Sequence, residues 1–268
     1  MANLQIGVVG CAGRMGLNLL RLIDATDGCV ISGGSERPGH DAVGQDVGGL
    51  AGRGIIGIIV DDNPRAMFER SEIILDFTMP AATVAHCALA TETNTKLVIG
   101  TTGTTPEDDA AIAKAAKTVA IMREGNMSLG VNVLAVLTER MARYLDEDFD
   151  IEIVEMHHRH KVDAPSGTAL LLGRSAAAGR GVDHDEALQG GRHGITGERR
   201  RGDIGYAAIR GGNVAGEHSV IFAADDERVE LTHKATDRAI FARGALTAAR
   251  WLSDKQPGLY GMADVLEL

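Results

Sequence analysis

Aromatic residues make up only 3% of this 268-residue chain, which also has just three cysteines and six prolines. Cys11, Cys29 and Cys87 stand far apart in sequence. That spacing excludes a disulfide framework or a Cys-x-x-Cys metal clamp and points to a reducing compartment, the cytoplasm. No apolar run approaches the roughly 20 residues a bilayer-spanning helix needs. The opening Met1-Ala2-Asn3-Leu4 lacks the basic start and long apolar stretch of a secretory signal. Positive charge is scarce as well: 27 Lys and Arg against 37 Asp and Glu give a formal net charge of −10. Such a balance argues against a general nucleic-acid-binding face. What the chain does have is glycine, 34 residues of it, and an ordinary apolar fraction of 44%. That is enough for a substantial core, in one large domain or two small ones.

The N-terminal half reads as a dinucleotide-binding fold. Leu4–Val9 is a short apolar strand, and Gly10-Cys11-Ala12-Gly13-Arg14-Met15-Gly16 follows directly. Leu17, Leu19, Leu20, Leu22 and Ile23 then give a helix with a broad buried face. Strand, glycine turn and helix are the context a pyrophosphate-binding fingerprint requires. Ala12 stands where a second glycine is usual, and a residue that small still lets a pyrophosphate approach the backbone. The next strand, residues 30–35, ends at Glu36, about 20 residues past the fingerprint, where an acid accepts bonds from ribose hydroxyls. Arg37 beside it suits a 2′-phosphate, so both NADH and NADPH are expected. Further strands are predicted at residues 55–60, 73–77, 96–99 and 119–122. Helices are predicted over residues 80–89 and from Pro106, the latter capped by Thr105. Ligands lie beyond the strand C-termini of such sheets, which puts Gly100, Thr101, Thr102 and the loop Gly125-Asn126-Met127-Ser128 near the nicotinamide.

Positive charge concentrates in one place. Residues 151–156 alternate as a strand does, His157-His158-Arg159-His160-Lys161 follows, and Ala169-Leu170-Leu171-Leu172 opens an apolar helix. Ser166 and Thr168 are natural helix N-caps. The backbone N–H groups around Ser166, Gly167 and Thr168, with the helix dipole, make a seat for a carboxylate or phosphate. Cations beside an anion seat suit a small, multiply anionic substrate. A metal is not expected, because a zinc helix wants His-Glu-x-x-His and no carboxylate is interposed here. Arg199-Arg200-Arg201, the other dense basic run, reads as a solvated loop.

After a long helix over residues 129–145 the pattern changes to period-2 runs at 204–210, 217–223 and 228–234, separated by Gly211-Gly212-Asn213 and Asp225-Asp226-Glu227. These predict an antiparallel meander, with Asp237 opening a last long helix. The expected fold is therefore α/β: a Rossmann-like doubly wound parallel sheet, plus a second α+β domain with a mixed or antiparallel sheet. Residues 1–128 and 239–268 form the dinucleotide-binding domain, and 129–238 the substrate-binding and oligomerisation domain. Val220, Phe222, Val229 and Leu231 are candidates for a subunit interface, or simply for core.

Taken together these motifs resemble the 4-hydroxy-tetrahydrodipicolinate (dihydrodipicolinate) reductase family. The strongest match is Glu155-Met156-His157-His158-Arg159-His160-Lys161-Val162-Asp163-Ala164-Pro165-Ser166-Gly167-Thr168-Ala169. It is joined by Gly13-Arg14-Met15-Gly16, Asp76-Phe77-Thr78, Gly100-Thr101-Thr102-Gly103, residues 126–132 and Gly216-Glu217-His218. The resemblance implies an NAD(P)H-dependent reduction of a cyclic imine dicarboxylate, 4-hydroxy-tetrahydrodipicolinate, to tetrahydrodipicolinate with loss of water, in diaminopimelate and lysine biosynthesis. It implies His157 as acid/base residue and Lys161 as proton donor, with His158 binding substrate and Gly167 and Thr168 holding a carboxylate. Gly10, Cys11, Ala12, Gly13, Arg14, Met15, Glu36, Arg37, Gly100, Thr101, Thr102, Glu124, Gly125, Asn126 and Met127 become cofactor contacts, and the assembly a homotetramer. Two other readings stand beside it: a two-domain dehydrogenase of another amino or keto diacid, and an inert NAD(P)H-binding sensor that binds cofactor without turnover.

Overall fold

In a computed structural model, residues 3–268 are described; Met1 and Ala2, which the sequence assigns to the dinucleotide-binding domain, lie outside the described residues. In chain order the elements are β1 (Leu4–Val9), α1 (Arg14–Asp24), β2 (Cys29–Ser35), α2 (Val47–Ala51), α3 (Arg65–Arg70), β3 (Ile73–Asp76), α4 (Pro80–Thr93) and β4 (Lys96–Ile99). There follow α5 (Pro106–Ala115), β5 (Ala120–Arg123), α6 (Leu129–Tyr144), β6 (Asp150–His157), α7 (Gly167–Arg180), α8 (His184–Ala187), β7 (Leu188–Gln189) and β8 (Ile204–Arg210). Last come β9 (Gly216–Ala223), β10 (Arg228–Ala235), α9 (Ala239–Leu252), β11 (Gly258–Tyr260) and α10 (Met262–Leu266). The chain divides into two compact units. One runs to Ser128 and includes Ala239–Glu267; the other is essentially Leu129–Arg238.

The first unit is a six-stranded sheet of order β11-β5-β4-β3-β1-β2, parallel throughout. Strands buried on both faces read as continuous apolar runs, and Ile73, Ile74, Leu75, Leu97, Val98 and Ile99 are all fully buried. Phe68, Cys87, Ala90, Ile112 and Ala115 of α3, α4 and α5 pack on Ile74, Leu97 and Ile99 in one cluster. α9 packs against β3, β4 and β5 beside α1. The strand order reverses between β1 and β3, which is where such sheets take their ligands. α5 has its expected cap: Thr105 accepts from Asp108 N–H and the Asp108 carboxylate accepts from Thr105 N–H.

The strand predicted at residues 55–60 does not form. In place of a ladder there are isolated bridges, Asp46 with Ile59 and, just beyond the segment, Ser35 with Asp61, and Ile55 is 88% exposed. The cause is Asp46, whose carboxylate accepts from the N–H groups of Gly48, Gly49, Ile56 and Gly57 at 2.8 to 3.1 Å. Those bonds curl the segment around the short α2, and Gly54 and Gly57 accept the positive φ this demands.

The second unit holds a mixed sheet of order β10-β9-β6-β8-β7. Here the meander expectation is corrected. β9 and β10 form an antiparallel hairpin, but β8 pairs with β6 in parallel, and β9 lies antiparallel along the other edge of β6. The turn after β8 bonds across the end of β6 (Gly211 N–H to His157 O at 2.9 Å, Arg159 N–H to Gly212 O at 3.2 Å), which carries the chain over β6 to its far side. Ile151 and Ile153 of β6, Ile204 and Tyr206 of β8, and Val220 and Phe222 of β9 share one face and pack on α6 and α7. Val220 and Phe222 are fully buried; they belong to this core and are not free for a subunit interface. Burying a side chain of that size contributes ~3 kcal/mol. By the strand period, Val154, Ile209 and Ile221 stand on the opposite face. Among the described residues no helix is long and apolar enough to cross a membrane.

Candidate active site

The glycine turn sits at the end of β1. Gly10 has φ of +63°, and a Cβ there would press on Thr78 at 2.9 Å. Gly13 N–H donates to Gly10 O at 3.1 Å. A Cβ on Gly16 would stand 2.3 Å from that same oxygen, so α1 docks on the turn only because residue 16 has no side chain. Gly13 is the N-cap of α1 and no side chain caps the helix. An uncapped helix start of this kind suits an anion. Glu36, just past the end of β2, accepts from Ala12 N–H at 2.9 Å through Oε1, which brings the acid onto the fingerprint turn. Cys11 faces the core. Burial, and then the charge of Glu36, push its thiol up to about 12; the residue is 0% exposed and its N–H donates to Ser35 O at 3.1 Å, so the cofactor contact expected of Cys11 finds no open group here.

A buried carboxylate missed in the sequence organises the next two loops. Asp76 ends β3 and accepts from Thr78 N–H at 3.0 Å, Thr78 Oγ1 at 2.6 Å and Thr101 Oγ1 at 3.3 Å, while His86 Nδ1 lies 2.8 Å away. Burial alone would raise its pKa, but the bonds from His86 and Thr78 outweigh that and hold it below the usual carboxylate range. Thr101 Oγ1 also takes bonds from Thr78 N–H and Thr83, so its hydroxyl is held within this network. Asn126 folds onto Ser128 N–H at 2.9 Å. The Glu124 carboxylate turns elsewhere, accepting from Gly125 N–H at 3.1 Å and from Met262 N–H at the start of α10 at 3.3 Å.

In the second unit the basic segment closes around Glu155. This residue stands in the inward row of β6 between Ile153 and His157 and is 1% exposed. Its carboxylate meets His157 Nδ1 at 2.5 Å, Ser166 N–H at 3.1 Å, and Arg210 Nη1 and Nη2 at 2.8 Å each. Burial again pushes its carboxyl up, yet the bonds from Arg210 and His157 hold it below the usual range. Ser166 caps α7, its Oγ accepting from Ala169 N–H at 3.2 Å and lying 3.1 Å from His218 Nε2. The rings of His157 and His218 meet edge to face at 5.0 Å. Burial first, then His157, lower the pKa of His218 to about 4, leaving it neutral.

The anion seat is narrower than expected. Ser166 N–H is spent on Glu155, while beside Gly167 nothing lies within 4 Å of where a Cβ would stand. The positive cluster is also partly neutralised. Lys161 pairs with Asp163 at 2.8 Å. His158, 6.2 Å from His160 between ring centres, has its pKa lowered by burial and then by Arg238. Arg199, within the run read as a solvated loop, is instead bound to Asp150 and Glu152 at 2.6 and 2.9 Å. Among the described residues no group of His, Cys, Asp and Glu is arranged to hold a metal. Arg210, Glu155 and His218 were not singled out as site residues. Glu155 and His218 lay inside matched motifs, whereas Arg210 gave no signal.

A parallel sheet with an uncapped glycine turn at its switch point, followed in the chain by a second α/β unit, is the architecture of two-domain pyridine-nucleotide oxidoreductases. The chain belongs to the dihydrodipicolinate reductase family: residues 4–127 match the family profile described as its N-terminus and residues 130–266 the one described as its C-terminus. It is 55% identical over 263 residues to a protein of Dinoroseobacter shibae named 4-hydroxy-tetrahydrodipicolinate reductase, covering 98% of each chain. A protein of the same name from Ruegeria pomeroyi is 54% identical, again with 98% of each covered. Among solved structures it is similar to a dipicolinate-bound dihydrodipicolinate reductase from Paenisporosarcina sp. TG-14, at TM-score 0.73 and 22% identity over 98% of this chain and 99% of the other. An amine dehydrogenase from Mycobacterium smegmatis aligns at TM-score 0.59 and 13% identity, over 96% and 94%. These two likenesses show the fold.

Proposed function

We infer that this chain reduces 4-hydroxy-tetrahydrodipicolinate with NADH or NADPH in diaminopimelate and lysine biosynthesis. Substrate, NAD(P)H and one proton give tetrahydrodipicolinate, NAD(P)⁺ and water. The observation that carries this reading is the buried Glu155 carboxylate, which joins the imidazole of His157 to the first turn of α7. One group there moves a proton and the other seats a carboxylate, as a dicarboxylate imine requires. Full-length relatives of that name at 55% and 54% identity support it.

When bound, the nicotinamide supplies the hydride. Gly10, Ala12, Gly13, Arg14 and Met15 suit the pyrophosphate, Glu36 and Arg37 the adenosine ribose or its 2′-phosphate, and Gly100, Thr101, Thr102 and residues 125–127 the nicotinamide side. The turn fits such a group, because a Cβ is excluded at Gly16 and no side chain occupies the α1 N-terminus. His157 is the acid/base residue and Lys161, whose resting partner is Asp163, the proton donor. Gly167 and Thr168 hold one substrate carboxylate and His158 contacts the ring. General acid–base help of this kind is worth roughly 10²–10⁴-fold. We place the protein in the cytoplasm, consistent with three free, buried cysteines, and as a homotetramer. Steady-state reduction of freshly generated cyclic imine, with each cofactor in turn, tests the reading. Turnover with neither cofactor, in protein that still binds NADH, would replace it with the inert sensor.

A further inference from the structure

Four donors from three other residues converge on Glu155, and their chemistry fixes more than its own charge. Arg210 offers Nη1 and Nη2 at 2.8 Å, Ser166 its backbone N–H at 3.1 Å. A carboxyl group bonded by a guanidinium fork and a peptide N–H is ionised, and an ionised carboxylate only accepts. The 2.5 Å contact with His157 therefore needs hydrogen on Nδ1. In a neutral imidazole Nε2 is then bare, the atom free to take or return a proton at the substrate. The surroundings of Nε2 agree. A Cβ on Gly216 would stand 3.0 Å from it, so glycine at that position keeps the reacting edge clear. The neighbouring imidazole, His218, directs its own Nε2 to Ser166 Oγ at 3.1 Å, not to His157.

We propose that Glu155 is the positioning residue of this site: paired with Arg210, it holds His157 as the Nδ1–H tautomer with Nε2 toward the substrate, and through Ser166 N–H it sets the first turn of α7 against that imidazole. Proton transfer and carboxylate binding are thus registered on one buried group. This deepens the proposed reductase reading and rests on it for the role of His157.

Two variants and one spectrum test the proposal. Glu155→Gln preserves shape but presents an amide that can donate to Nδ1, favouring the other tautomer. Glu155→Asp shortens the arm yet remains an acceptor. We expect kcat to fall roughly 10²–10⁴-fold in Glu155→Gln, with NADH affinity unchanged, and to fall less in Glu155→Asp. A role in packing alone would rank the isosteric Gln above Asp, and that order would overturn the proposal. Imidazole ¹⁵N spectra of the wild-type protein, with the His157 signals assigned by their loss in His157→Gln, should show Nδ1 protonated and Nε2 bare in the neutral ring. The opposite tautomer overturns the proposal even if neither variant folds. Absence of reductase turnover in the wild type, with the expected tautomer present, would count against the reductase reading and leave the Glu155 geometry standing.

Discussion

Two glycines of the same turn, three residues apart, should respond to alanine in opposite ways. At Gly16 the added Cβ would meet Gly10 O at 2.3 Å and Cys11 Cα and C at 2.6 Å, all backbone. No side-chain rotation relieves such contacts, so α1 must shift off β1 by roughly 1 Å, at an overpacking cost of about 1–3 kcal/mol. Better helix propensity returns ~1 kcal/mol at most. For a chain of this size each lost kcal/mol lowers Tm by about 2–4 °C, and the shift also disturbs the cofactor seat. At Gly13 the Cβ would meet only Gly10 O, at 3.2 Å. Its φ of −67° and ψ of 165° suit any residue. A few tenths to ~1 kcal/mol lost at the N-cap is offset by a similar gain from stiffening the unfolded chain. Gly13→Ala should therefore keep its Tm within about 2 °C. Its methyl, however, stands where a pyrophosphate must approach, so NADH affinity should fall at least tenfold, about 1.4 kcal/mol. Scanning calorimetry and NADH fluorescence titration separate the two effects. A Gly13→Ala protein that binds NADH within twofold of wild type would refute the placement of the pyrophosphate at this turn.

Acid should unfold the second unit partly through His218. Its pKa is lowered from 6.5 to about 4, so the unfolded chain binds the extra proton across that window; stability falls as pH drops from 6.5 to 4, by up to about 3 kcal/mol. His218→Gln should flatten the Tm-against-pH curve there, and an unchanged slope would contradict the assignment. Arg37→Ala should raise KM for NADPH more than for NADH, and equal effects would show that Arg37 does not read the 2′-phosphate. Pyridine-2,6-dicarboxylate should inhibit competitively and its monocarboxylate analogue at least several-fold more weakly; near-equal inhibition would rule out a carboxylate seat at Gly167 and Thr168. Light scattering at micromolar protein should give a tetramer's mass, with contacts on the sheet face of Val154, Ile209 and Ile221; a monomer would refute it.

Much of the first unit was legible because its signals are local. β1 and β4 follow from continuous apolar runs, and α5 from a Thr-Pro-x-Asp start. The failure at residues 55–60 is local too. The apolar pattern was there, but one aspartate ten residues upstream of Ile56 captured the backbone N–H groups that a strand would have offered to a neighbour. Side-chain competition for peptide donors leaves little trace in hydrophobic periodicity.

The larger misreading, of the second sheet, has the same origin as the missing site residue. Three alternating runs separated by turn clusters look like a meander, and in a meander Arg210 would end a strand beside β9. The central position of β6 overrides that pattern. β6 pairs on both edges, with β9 on one, and the crossover through α7 delivers β8 to the other in parallel. Parallel register places Arg210 opposite His157, where its guanidinium reaches the Glu155 carboxylate 55 residues back in sequence. The acid and the imidazole could be read from neighbouring positions in one motif. The cation that keeps the acid ionised could not, because only the strand order brings it there.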